Sequence, residues 1–317
     1  MKILVTPTSM QPNKKSKALD KLRSFSNNLV FNPTGKPLDE DALIDLLKDC
    51  DGYIAGLDFV TNKVIDSCKN LKAISRYGAG YDRVDIAAAK SKGILVANTP
   101  GVNAEAVGEL AIGLILSTAR KIPYLDSQTR SGGWVRSTGL ELKGKTIGIL
   151  GLGAIGKVVA RCAQGLGMHI IAYDPFINAS YCQDNNISVA TFEEVISESD
   201  VISLHLPLTP DTKHLINENA ISRMKDNIIL VNTSRGGIID EEAAYQALKA
   251  GKMGGLGLDA FEMEPPKCSP LFELNNVVVT PHNGAHTQEA TENMAIASVD
   301  NLINLLTGND CPNVVNR

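Results

Sequence analysis

No stretch of this chain is apolar for long enough to cross a bilayer, which takes about 20 residues. The most apolar helix-like segment, Ala106–Ala119, is interrupted by Glu109 and two glycines and reads as a buried helix. The opening run Met1–Val5 meets Pro7 too soon to serve as a secretory signal. The six cysteines, Cys50, Cys68, Cys162, Cys182, Cys268 and Cys311, form no CxxC pair and no dense framework. They read as free thiols of a reducing compartment, so a cytoplasmic location is expected. Neither sign of charge dominates either. The net charge is −4 with Lys and Arg scattered, which argues against a nucleic-acid groove. The run Lys14-Lys15-Ser16-Lys17 is a solvated helix start. No internal repeat or low-complexity tract is evident.

What is present is a regular alternation of short β-branched runs with amphipathic stretches, over a length of 317 residues that suits two domains. Strands are expected at Lys2–Val5, Leu29–Phe31, Gly52–Ala55, Leu71–Ser75 and Ile94–Ala97. After a helix at Asn103–Ala119 come strands at Thr146–Leu150, His169–Tyr173, Val201–Leu204, Ile228–Asn232, Gly255–Asp259 and Val277–Thr280, then a helix at Gln288–Leu306. Such alternation marks parallel sheets covered by helices. Ile228-Ile229-Leu230-Val231 is apolar at every position, as a strand buried on both faces must be. The turn-rich Asn98-Thr99-Pro100-Gly101 and Pro281-His282-Asn283-Gly284 are the candidate seams. They predict one α/β domain from 1–98 plus 284–317 and a second from 99–283.

Strand Ile147-Gly148-Ile149-Leu150 runs straight into Gly151-Leu152-Gly153-Ala154-Ile155-Gly156 and a helix pattern over Lys157–Leu166. Gly151 permits the tight turn, Gly153 lets backbone approach a pyrophosphate, and Gly156 lets the helix pack closely. The helix N-terminus, from Ala154 and Ile155, offers N–H groups and partial positive charge to phosphates. Asp174 ends the next strand, 18 residues beyond Gly156. A carboxylate there accepts ribose hydroxyls and repels a 2′-phosphate. With only Pro175 and Phe176 following, NAD is favoured over NADP.

Reduction of a 2-oxo acid by a bound nicotinamide needs a cation for the carboxylate, and a proton for the oxygen as hydride reaches carbon. Arg235, Glu264 and His282 each follow a strand of the second domain, where a doubly wound sheet places its ligands. Singly, each has a bland reading: a salt-bridging arginine, a loop acid, a structural histidine. Together, in a chain with a cofactor fingerprint, they read as a catalytic set. His205 is read as structural. His286 stands four residues after His282, but Pro281 and Asn283-Gly284 argue against a helix there, and no metal site is expected.

These segments, with Arg76-Tyr77-Gly78-Ala79-Gly80-Tyr81-Asp82, Tyr173-Asp174-Pro175 and Leu204-His205-Leu206-Pro207, resemble the D-isomer-specific 2-hydroxyacid dehydrogenases, in particular the phosphoglycerate dehydrogenase-like branch. The resemblance covers nearly the whole chain. It implies a Rossmann NAD-binding domain inserted into a flavodoxin-like substrate domain. It also implies an NAD-dependent oxidoreductase acting on the CH–OH group of D-2-hydroxy acids. His282 would be the acid/base and Glu264 would stabilise its imidazolium. Arg235 would bind the substrate carboxylate and carbonyl oxygen. The N–H groups of Gly78 and Ala79 would hold the carboxylate from the other domain. Asp259, and the backbone near Thr233 and Leu206, would line the cofactor. The same resemblance implies a homodimer through the region 103–135.

Arg76 and Arg136 stand where phosphoglycerate dehydrogenases often carry arginines, which supports a doubly anionic substrate such as 3-phosphoglycerate. Against it, Tyr53-Ile54-Ala55-Gly56-Leu57-Asp58 replaces a segment that usually supplies another Arg, and Asp58 adds negative charge. Hydroxypyruvate, glyoxylate or another D-2-hydroxy acid is the close alternative. A reading of another class is an NAD(H)-sensing protein like the corepressors that share this fold.

Overall fold

Residues Met1–Asn103 and Ala285–Arg317 fold as one unit and Ala104–Gly284 as another, in a computed structural model that describes all 317 residues. The first unit carries five parallel strands: β1 (Lys2–Val5), β2 (Asn28–Phe31), β3 (Gly52–Ala55), β4 (Ala73–Arg76) and β5 (Leu95–Ala97), in the order β2-β1-β3-β4-β5. That is the doubly wound flavodoxin-like order, whose ligands gather beyond the carboxyl ends of the strands. Alternate residues feed two cores. Leu4, Tyr53, Ile74 and Val96 enter one, and Ile3, Val5, Ile54 and Ala73 enter the other.

The second unit holds seven parallel strands: β6 (Thr146–Leu150), β7 (His169–Tyr173), β8 (Ser188–Val189), β9 (Val201–Leu204), β10 (Ile228–Asn232), β11 (Met253–Leu258) and β12 (Val277–Val279). Their order, β12-β11-β10-β9-β6-β7-β8, is the Rossmann arrangement with one further strand at its edge. The continuous apolar run of β10 follows from burial on both faces. Ile228 and Leu230 enter one core, and Ile229 and Val231 enter the other.

Helices begin where short polar side chains satisfy their first N–H groups. Asp39, Thr61, Asp85, Asn178, Thr191, Asn217, Asp240 and Thr287 each accept from the third residue beyond, a cap worth about 1 kcal/mol. Helix Gln288–Thr307 ends at Gly308, whose φ of 75° a side chain would oppose. Helix Ala104–Ala119 lies unusually close to its neighbours. A Cβ on Gly108 would sit 2.5 Å from Val158 Cγ1, and one on Gly255 would sit 2.3 Å from Thr118 Cγ2.

Strand β5 is not left bare on its outer side. Val315 N–H donates to the Val96 carbonyl at 2.8 Å. The Asn316 side chain accepts the Val96 N–H at 2.9 Å and donates to the Ile94 carbonyl at 2.8 Å.

Candidate active site

Three loops leave the carboxyl ends of β10, β11 and β12, and each is shaped by a residue at its base. Asn232 closes β10 at 1% exposure. Its Oδ1 accepts the Ser234 N–H at 3.0 Å and hydroxyl at 2.7 Å, while its Nδ2 donates to the Arg235 carbonyl at 2.7 Å. The Arg235 guanidinium in turn donates to the Ser234 carbonyl at 2.8 Å. Gly236 allows this loop to lie against the next one, because a Cβ there would fall 1.8 Å from the Phe261 carbonyl oxygen. Phe261 opens the turn that carries Glu264, and its N–H donates to Glu264 Oε1 at 3.3 Å. The turn is also laced to helix Glu241–Lys249: Glu262 N–H donates to Glu241 Oε1 at 2.6 Å, and Glu241 N–H to Glu262 Oε1 at 3.1 Å. Burial, with the nearby charges of Glu262 and Glu264, raises the Glu241 carboxyl above its ordinary range.

His282 Nδ1 lies 2.8 Å from Glu264 Oε1. A carboxylate only accepts, so Nδ1 carries the proton and Nε2 is left for exchange. The pair is half-buried, with 30% of the histidine and 18% of the glutamate side chain exposed. His282 takes a left-handed φ of 52°, uncommon for a residue with a Cβ, and its neighbours hold it there. Asp259, at 2% exposure, accepts Thr280 Oγ1 at 2.6 Å and the Asn283 N–H at 2.6 Å on Oδ1, and the Gly284 N–H at 2.8 Å on Oδ2. In this structure Asp259 is first a clamp on the histidine segment. His282 and Glu264 are thus in contact, with Asp259 clamping the histidine segment, and Gly236 brings the loop that carries Arg235 against the turn that carries Glu264.

The glycine-rich loop shows what each glycine is for. Gly151 has φ 99°, and a Cβ there would meet the His205 carbonyl oxygen at 2.7 Å. A Cβ on Gly156 would come within 2.2 Å of the Gly151 carbonyl oxygen, so the close approach is to the loop itself more than to the strand. Gly153 faces open space and starts helix Ala154–Gly165 with no side-chain cap. The first N–H groups of that helix are therefore available to an anion. Asp174 Oδ2 accepts the Leu152 N–H at 2.8 Å and Oδ1 the Phe176 N–H at 2.8 Å, and each oxygen keeps a further lone pair. Thr233 Oγ1 is buried with no partner in the chain, the condition of a hydroxyl that a bound group would satisfy. Leu206 is buried at 7% exposure. These residues fit a dinucleotide. His205 is held by Ser203 Oγ at 2.8 Å on Nε2, and burial pushes it down to about 3, so it stays neutral and is no rival base.

In the first unit, Arg76 is only 6% exposed. Its Nη1 donates to the Ala55 carbonyl at 3.1 Å and to the Tyr77 carbonyl, so it braces the loop that follows β4. Gly78 (φ 131°) donates its N–H to Thr99 Oγ1 at 3.0 Å. Of the expected pair, Gly78 thus has its N–H engaged within the chain. The N–H groups of Ala79 and Gly80 have no partner in the chain. Thr99 lies in the turn-rich segment after β5, and no local sequence pattern shows which N–H its hydroxyl covers. Asp58, expected to add charge, is 1% exposed. It is bound by Thr6 Oγ1, by Tyr53 OH at 2.9 Å and by the Leu38 N–H at 2.7 Å. Arg136 is exposed.

Residues 112–284 match the family described as D-isomer specific 2-hydroxyacid dehydrogenase, NAD binding domain. The chain is similar to a hydroxypyruvate reductase of Thermotoga maritima, with 44% identity over 89% of this chain and 95% of that protein. It is also similar to a D-3-phosphoglycerate dehydrogenase of Methanocaldococcus jannaschii, with 42% identity over 88% of this chain and 54% of that protein. The chain spans about half the length of the phosphoglycerate dehydrogenases it matches. Among solved structures, the D-lactate dehydrogenase of Aquifex aeolicus complexed with NAD and lactic acid superposes with a TM-score of 0.86 at 28% identity, over 99% of both chains.

Proposed function

Because the chain belongs to the D-isomer specific 2-hydroxyacid dehydrogenase family, we propose that it is an NAD-dependent dehydrogenase of small D-2-hydroxy acids. The observation that carries this reading is the 2.8 Å contact of His282 Nδ1 with Glu264 Oε1, in a unit whose glycine-rich loop fits a dinucleotide. When bound, NAD supplies the hydride acceptor at its nicotinamide ring, and NADH the donor. Gly151, Gly153, Ala154, Ile155 and Gly156 receive the pyrophosphate, and Asp174 the ribose hydroxyls. Thr233 and Leu206 line the same groove, and Asp259 supports it. Protonated His282 gives its Nε2 proton to the carbonyl oxygen of a 2-oxo acid and takes it back in the oxidative direction. Glu264 stabilises the imidazolium between the two. Arg235 neutralises the substrate carboxylate with its planar fork, and the N–H groups of Ala79 and Gly80 in the first unit are a donor pair suited to a carboxylate.

Hydroxypyruvate and glyoxylate stand ahead of 3-phosphohydroxypyruvate as substrates. Arg76 is buried against two carbonyls instead of being presented to a phosphate. Relatives matched over nearly their whole length include a hydroxypyruvate reductase and a glyoxylate reductase. The test is a panel of 2-oxo acids with NADH, followed by absorbance and repeated with His282→Ala. Turnover of a small 2-oxo acid, lost in the variant with NADH affinity kept, is expected. Tight NADH binding with no turnover of any acid would leave the sensor reading standing.

A second copy of this chain is the proposed partner. Helix Ile122–Arg130 has no buried residue, and Ile122, Trp134 and Val135 are 51%, 83% and 46% exposed. Apolar exposure of this kind in one segment marks an interaction surface. Light scattering of the purified protein at twice the chain mass is the expected result, reduced to one chain mass by Trp134→Lys with Ile122→Lys. No helix is long and apolar enough to cross a membrane. All six cysteines are unpaired, which supports the cytoplasm as the working location.

A further inference from the structure

The N–H groups of Ala79 and Gly80 each belong to a peptide plane whose carbonyl is held. A trans peptide is planar, with its C=O and N–H pointing in opposite directions. The plane joining Gly78 to Ala79 is fixed by the Thr99 N–H, which donates to the Gly78 carbonyl at 3.0 Å. The plane joining Ala79 to Gly80 is fixed by Asn98 Nδ2, which donates to the Ala79 carbonyl at 2.6 Å. Both N–H groups are therefore turned away from the Asn98–Thr99 segment, as a pair of successive donors suited to an anion.

Asn98 is itself held on its backbone. Its carbonyl accepts Asn301 Nδ2 at 2.7 Å, and its N–H donates to the Asn313 carbonyl at 3.2 Å. Asn301 in turn accepts Asn313 Nδ2 at 3.1 Å. Thr99, Asn301 and Asn98 are 0%, 4% and 8% exposed. A buried amide on a backbone held at both its N–H and its carbonyl keeps one orientation, because turning it would leave the Ala79 carbonyl facing an acceptor.

We propose that Asn98 is a positioning residue for substrate binding. Its side-chain amide, carried on a backbone that Asn301 holds, turns the Ala79–Gly80 peptide so that the Gly80 N–H joins that of Ala79 on the substrate carboxylate. This rests on the 2-hydroxy acid reading above. Asn98 touches no substrate; it acts through the peptide it orients. Asn98→Asp is the sharpest variant, since it keeps the shape while facing the Ala79 carbonyl with an acceptor.

The experiment compares wild type, Asn98→Asp, Asn98→Ala and Asn301→Ala in NADH-dependent turnover of hydroxypyruvate, with oxamate as a non-reducible carboxylate. Loss of one oriented donor is expected to raise KM and the oxamate Ki about tenfold. The value of kcat is expected within about threefold, and the NADH Kd unchanged. Asn301→Ala shifts the same quantities in the same direction by less. An unchanged KM, or a rise in NADH Kd matching that in KM, overturns the proposal. Amide NMR of the wild-type NADH complex keeps the test open if the variants misfold. Oxamate is expected to shift the Ala79 and Gly80 N–H resonances together, and a stationary Gly80 resonance beside a moving Ala79 overturns the role of Asn98. No turnover of any acid by wild type, with neither amide responding, overturns the 2-hydroxy acid reading and the proposal with it.

Discussion

Asp259 holds Asn283 by a 2.6 Å hydrogen bond from the Asn283 N–H to its Oδ1, and binds the N–H of Gly284 through its other oxygen. One buried carboxylate thus sets the backbone on the far side of His282 while Thr280 Oγ1 ties down the near side. Asp259→Ala would strand three donors in the interior. Stability is expected to fall by on the order of 3 kcal/mol, read from the urea midpoint. Turnover should fall further than the lost stability accounts for at temperatures where the variant is folded.

Glu264→Gln keeps the hydrogen-bonding shape beside His282 but removes the charge that favours imidazolium. The reduction of a 2-oxo acid is expected to slow by roughly tenfold to a hundredfold in kcat, with NADH Kd unchanged in a fluorescence titration. A variant as fast as wild type would show that the carboxylate is a spectator.

Gly236→Ala places a methyl group where the Phe261 carbonyl oxygen stands, at 1.8 Å. Neither loop can absorb this without backbone movement. The loops bearing Arg235 and Glu264 are expected to part, raising KM for the acid and lowering kcat together, with about 1–3 kcal/mol of stability lost. Steady-state kinetics and thermal unfolding check both halves of the expectation.

His205 gives the pH dependence of stability its sign. Burial lowers it from an ordinary 6.5 to about 3. Between those values the unfolded chain binds a proton that the folded chain refuses. Its contribution is fully present above about 6.5 and is lost as pH falls toward 3, at up to about 1.4 kcal/mol per pH unit. His205→Asn, which keeps a polar partner for Ser203, is expected to flatten that acid limb in urea titrations between about pH 4 and 5.5, where approximately one proton separates the two states. Equal slopes in variant and wild type would contradict it.

Much of this is legible in the sequence. β10 is apolar at each position because two cores claim alternate residues, and the glycine-rich turn stands between a strand and a helix as it must. The partners His282 and Glu264 follow separate strands, and their pairing is implied only by the resemblance to the 2-hydroxyacid dehydrogenases. Other features left no local trace. β8 is two exposed residues at a sheet edge, too short to show a period. Helix Ile122–Arg130 buries nothing, so no apolar stripe announced it. Asp58 looked like a free charge, because only the fold brings Thr6, Tyr53 and the Leu38 N–H around it. The covering of the Gly78 N–H by Thr99 joins residues 21 positions apart, and nothing in either segment foretells it.

The segment that runs past β5 has a consequence for association. Open strand edges invite pairing with foreign strands, and here Val315 and the Asn316 side chain occupy the groups that would do so. The same few residues reach inward, where Asn313 meets Asn98 and Asn301. Clipping the tail would therefore both uncover a sticky rim and slacken the peptide that presents Gly80, linking aggregation and weakened acid binding to a single cut.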